Sequence, residues 1–125
     1  MYSHVYGYFE IRSNEKYSDR KLTKEVIQVL EETGVLIRHE NLSFKNKDGF
    51  PWIEITCVDS LNGNYSSNGE LLDECNLLAI ITSKNEADSE QKYLDVLKTI
   101  SAKLEWELIL EEDEEGNEDI LIYKP

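Results

Sequence analysis

Seven carboxylates crowd around one glycine in LEEDEEGNEDILIY, residues 110–123. Oxygens at that density suit two tasks, holding a hard cation or attracting a basic surface. An EF-hand loop needs oxygen ligands at positions 1, 3, 5 and 12, glycine at position 6, and flanking helices. Counted from Glu111, Asp113 and Glu115 take positions 3 and 5, and Gly116 takes position 6. Position 12 is then Ile122, and the flanks alternate like strands. No dedicated calcium site is expected. The acids Glu111, Glu112, Asp113, Glu114, Glu115, Glu118 and Asp119 read instead as a partner-binding set.

Other chemistry finds less support. Cys57 and Cys75 form no CxxC pair, which argues against structural zinc. They read as two reduced, mostly buried thiols, and whether they ever pair is left open. Neither cysteine, taken with His39, carries a nucleophile signature. His4 and Glu54 fall on expected strands and suggest metal ligands, but the chain has only two histidines, whereas catalytic zinc usually takes three protein ligands. Gly63 and Gly69, in NGNYSSNG, lack the basic residue and helix start of a phosphate loop. The best basic cluster, Arg20, Lys21 and Lys24, is short and offset by Asp19 and Glu25. The expectation is a protein that is no enzyme, holds no cofactor or metal, and binds no nucleic acid directly.

Charge carries more information. The net charge is −13 and is unevenly placed. Residues 1–62 hold 10 acids and 8 bases, a net of −2, while residues 63–125 hold 16 acids and 5 bases, a net of −11. Such a field repels nucleic acid and anionic membranes, and it speeds encounter with a basic protein. No apolar run approaches the roughly 18 residues that a membrane helix needs. MYSHVYGYFEIRS lacks the basic start and apolar run of a signal peptide, so the expected location is cytoplasmic. A hydrophobic fraction of 40% suffices for one core.

The elements that must position these residues follow from periodicity. HVYGYFEIRS alternates, with Val5, Phe9 and Ile11 on one side and Tyr6, Tyr8 and Glu10 on the other. KLTKEVIQVLEETG carries a helical stripe of Leu22, Val26, Val29 and Leu30, capped by Ser18 or Asp19 and ended by Gly34. VLIRHENLSF reads as one strand, KNKDG as a turn, and FPWIEITCV as another strand. The order then recurs. CNLLAIITS is a strand, and QKYLDVLKTISAKL carries the stripe Tyr93, Leu97, Ile100 and Leu104 after a cap at Asp88 or Ser89. EWELILEE and EDILIYKP close a hairpin around DEEGN. At an offset of 71, Leu22 matches Tyr93, Val26 matches Leu97 and Val29 matches Ile100. Ile53 and Ile55 match Ile120 and Ile122 across the second turn.

The chain therefore reads as a single α+β domain over residues 1–125. It contains two βαββ repeats, 4–58 and 77–125, joined by a surface connection, 59–76. The expectation is a mainly antiparallel sheet of about six strands with two helices on one face. Strand order and the path of residues 59–76 are left open. Paired βαβββ modules of the vicinal-oxygen-chelate superfamily look similar, but each unit here is a strand short. On this reading the acids sit at the mouth of a hairpin, with 111–115 facing Glu118 and Asp119. Tyr2, Tyr6 and Tyr8 share one face of the first strand. Phe50, Trp52 and Glu54 share one face of the third, opposite Ile53, Ile55 and Cys57. With helices on the Val5/Ile53 side, Tyr6, Tyr8 and Trp52 form a partly open aromatic patch suited to an interface. Packing under the 59–76 connection, or against a second copy as a homodimer, is the alternative use of those rings.

Taken whole, the chain resembles bacterial immunity proteins of polymorphic-toxin and contact-dependent inhibition systems. The resemblance is one of type, without a diagnostic motif. It implies a non-catalytic inhibitor of a basic toxin, such as a nuclease, with Glu111 to Asp119 standing in for phosphates and Tyr6, Tyr8 or Trp52 anchoring the contact. The competing readings are a DNA-mimic decoy of a DNA-binding protein and a small ligand-binding or regulatory domain.

Overall fold

The computed structural model describes residues 5–40, 42–61, 64–65, 74–84 and 89–125. Tyr2, His4, Gly63, Gly69 and Asp88 lie outside the described residues, as do 62–63 and 66–73 of the connection. In chain order the elements are β1 (Tyr6–Arg12), β2 (Lys21–Leu22), α1 (Thr23–Glu32), β3 (Leu36–Arg38), β4 (Ser43–Asn46) and β5 (Ile53–Val58). Then come β6 (Ser60–Leu61), β7 (Asn64–Tyr65), β8 (Glu74–Cys75), β9 (Leu77–Ser83), α2 (Glu90–Leu104), β10 (Glu107–Glu112) and β11 (Glu118–Tyr123). Seven of the strands build one sheet in the order β11-β10-β1-β9-β5-β4-β3, and the short β2/β8 and β6/β7 pairs stand apart. Every pairing among the described strands is antiparallel.

Seven strands rather than about six arise because VLIRHENLSF is not continuous. The N–H groups of His39 and Glu40 both donate to the Ser43 carbonyl, at 2.9 and 3.2 Å, and reverse the chain. His39 and Glu40 thereby leave the sheet, and Leu42 tucks into the core. The two halves also differ in strand order. In the first half the strand after the helix, β3, ends on the sheet edge, and the last strand, β5, lies inside against β9. In the second half the strand after the helix, β10, lies inside against β1, and the last, β11, is the edge. Ile53 and Ile55 are therefore fully buried, while Ile120 and Ile122 are only partly so.

The helices share one face of the sheet. Val26 and Leu30 of α1, and Tyr93, Leu97, Ile100 and Leu104 of α2, join one cluster with Ile11, Phe44, Ile55, Leu78, Ile80 and Leu108. Each such side chain withdrawn from water contributes about 1.5–3 kcal/mol. The α2 stripe is as expected. The α1 stripe is rotated: Thr23 and Ile27 are buried, and Leu22 is exposed. Leu22 pairs instead with Glu74 in the β2/β8 ladder, so the helix starts at Thr23 without a side-chain cap. The two expected caps have other partners. Ser18 accepts from Asn14 at 2.6 Å, and Asp19 accepts the indole N–H of buried Trp106 at 2.9 Å. Ser89 does occupy the cap position of α2, again without a side-chain capping bond to the helix.

Candidate functional site

The antiparallel strands show one face to the helices and the other outward. Among the described residues no helix covers the outward face. Its composition follows from register. Tyr8 pairs with Ile81, Ile81 with Glu54, Glu54 with Lys45 and Lys45 with Ile37, one row crossing five strands. A second row runs from Leu121 through Ile109, Glu10, Ala79 and Thr56 to Ser43. A third joins Glu107, Arg12, Leu77 and Val58.

The expected aromatic patch lies at one end of this face. The rings of Tyr6 and Trp52 meet at 5.8 Å, and these residues stay 41% and 37% exposed. Tyr8 is half-buried beside them, and Glu54 shares the face. The indole is held at its backbone, where the Tyr93 hydroxyl donates to the Trp52 carbonyl at 2.5 Å. Phe50 does not join the patch. It precedes β5 and packs edge-on against Tyr93 on the helix side, 6.1 Å between centroids. Phe50 lies three residues before β5, beyond Pro51, where the alternation that places Trp52 no longer holds.

The other end of the outward face is closed by a buried polar network that sequence reasoning missed. The Tyr17 hydroxyl donates to Glu10 Oε2 at 3.0 Å. Arg12 Nε donates to Glu107 Oε1 at 3.4 Å, and the guanidinium lies 5.5 Å from the Tyr17 ring centroid. Glu10 and Arg12 are each only 6% exposed. Burial opposes the Arg12 charge, but Tyr17 and Glu10 outweigh it and raise its pKa. The available signal was the EIR alternation, which puts Glu10 and Arg12 on the same side as the tyrosines.

The acidic hairpin forms as expected, yet its seven acids do not share one surface. Glu112 opposes Glu118 directly in the ladder. Glu111 lies on the outward face. Burial, then the charge on Glu10, raises its pKa, and Asp119 adds to this. Asp119 itself adopts a left-handed backbone, φ 50°. Glu114, Glu115 and Glu118 are exposed. Asp113 is occupied within the turn. Its carboxylate accepts the N–H groups of Glu115 and Asn117, both at 2.9 Å, and the Asn117 amide at 3.0 Å. The Asn117 side-chain bond leads the causes that lower its pKa. Asp113, one of the seven, is thus engaged by the turn itself.

On the helix side the hairpin borders an open groove of about 930 Å³. Phe9, Leu94 and Leu110 give it apolar walls, while Lys84, Glu90, Glu112 and Glu114 make it charged. The hairpin thus presents carboxylates both to the aromatic face and to this groove. Among the described residues no group of three or more His, Cys, Asp or Glu is arranged to hold a metal, and no helix is long and apolar enough to cross a membrane. Cys57 and Cys75 are both free thiols in the core. No protein-family model, no curated protein and no solved structure matches this chain.

Proposed function

We propose that this chain is an acidic, non-catalytic binding protein that neutralises a basic protein partner through the outward sheet face. One observation carries the reading. The exposed Tyr6–Trp52 pair lies on a face that no described helix covers, with Tyr8, Glu54 and Glu111 on the same face. Aromatic anchors beside carboxylates suit a cationic partner. The rings supply desolvated contact, and the net charge of −13 speeds the encounter. Glu111, Glu112, Glu114, Glu115, Glu118 and Asp119 are the contributing acids. The resemblance in type to bacterial immunity proteins supports a toxin, such as a nuclease, as the partner and the cytoplasm as the site of action. Capture of partners from bacterial lysate at low and moderate salt tests this. A basic protein held stoichiometrically and weakened by salt is expected. Retention of nothing basic, including when purified basic toxin domains are added, refutes it.

A second reading is favoured by the groove beside the hairpin, whose walls suit a small amphipathic ligand. A saturable thermal shift with such a ligand, lost on Leu94→Arg, supports it over protein binding.

A further inference from the structure

Cys57 lies within β5, and Cys75 ends the two-residue β8. They come together because the Asn76 N–H donates to the Val58 carbonyl at 3.1 Å, which ties the residue after one cysteine to the residue after the other. Both side chains are fully buried in the cluster formed by the sheet and α1. Each thiol is the leading influence on the other's ionisation. We propose that Cys57 and Cys75 are a redox pair that closes to an intramolecular disulfide by exchange with a small-molecule disulfide.

The two thiols have different roles in this exchange. Burial opposes a charge on either thiol. Cys75 is the easier to reach. It sits on a ladder of two residue pairs with Lys21 and Leu22, and so short a ladder opens locally at little cost. Cys57 is in a strand hydrogen-bonded on both sides, to β4 and to β9.

The Cys75 thiolate attacks one sulfur of the external disulfide. The old sulfur–sulfur bond breaks, and the first thiolate leaves and takes a proton. Cys57 then loses its proton and attacks the Cys75 sulfur, and the second external thiol departs. Two protein thiols are oxidised and one external disulfide is reduced to two thiols. The new bond closes the connection from Val58 to Glu74 into a covalent loop, which stabilises the fold by restricting the unfolded chain.

Oxidised glutathione is the probe. The folded full chain is incubated with it, then unfolded, alkylated and weighed by intact-mass spectrometry. The expected product is two hydrogens lighter than the parent and takes no alkyl group. Its digest yields one peptide linking Cys57 to Cys75, and its melting temperature rises by about 5–10 °C. Cys57→Ser is expected to stop at a glutathione adduct on Cys75, while Cys75→Ser resists modification. The proposal is overturned if both cysteines alkylate after treatment. It is also overturned if the adduct persists in the parent without closing, or if the linked peptide forms only when oxidation is carried out in urea.

Discussion

The sharpest test of the acidic hairpin separates the acids that build it from those that burden it. Asp113 bonds two backbone N–H groups and one side-chain amide, so it builds the turn. Glu118 opposes Glu112 across the ladder, and Glu114 and Glu115 are exposed at the tip. The triple variant Glu114→Gln, Glu115→Gln, Glu118→Gln removes one directly opposed like-charge pair and two solvated charges. Opposed pairs of this kind cost about 0.2–1 kcal/mol. For a chain of this length the gain corresponds to about 1–4 °C in melting temperature. It shrinks in about 1 M salt, where the screening length falls to roughly 3 Å. Asp113→Ala is expected to move the other way and lower the melting temperature, with little recovery in salt, because it removes hydrogen bonds rather than repulsion. Urea and thermal melts at two ionic strengths measure both. A triple variant less stable than the parent, or an Asp113→Ala variant of unchanged stability, refutes this division of roles.

Three further outcomes follow. Glu111 has a raised pKa from burial and Glu10, so the folded state holds its proton more tightly than the unfolded chain does. That contribution is present below the ordinary value of 4.5 and is lost as pH rises through the folded value. Glu111→Gln is therefore more stable than the parent near neutral pH, with the gain vanishing on acidification, and equal melting curves at all pH values contradict it. Glu105 ends α2 in the left-handed region, φ 59°. Glu105→Gly is expected to stabilise by about 0.5–1 kcal/mol in a urea titration, since glycine adopts that conformation without strain. A Cβ on Gly7 would meet Thr82 Oγ1 at 2.6 Å, so Gly7→Ala is expected to cost about 1–3 kcal/mol, read from the same titration.

Much of this architecture was legible in the residues. Both helices, the two hairpins and the α2 stripe follow from periodicity, because burial on one face imposes a period of 3.6 or 2. The pairing of Tyr6 with Trp52 followed too, since alternation put both opposite Phe9 and Ile53. Strand order did not follow. The break after Arg38 rests on the N–H groups of His39 and Glu40 sharing one carbonyl, which no pattern of side chains announces. The start of α1 was misread because Leu22 is held by a ladder to β8, a contact 52 residues away. The acids could be counted but not divided. Which of them bonds the turn depends on the left-handed Gly116 and on the side chain of Asn117. The network of Glu10, Arg12, Tyr17 and Glu107 joins residues 95 apart and emerges only once β1 lies beside β10.

Whether a basic partner docks on the outward face is decided by comparing two baits in one capture experiment. One is the parent chain, and the other carries Tyr6→Ala and Trp52→Ala, after matched circular dichroism and melting curves show that both are folded. A basic protein held stoichiometrically by the parent at low salt, weakened at moderate salt, and absent from the double variant is expected. Equal retention by both baits would contradict it, because the contact would then lie elsewhere than on the outward face.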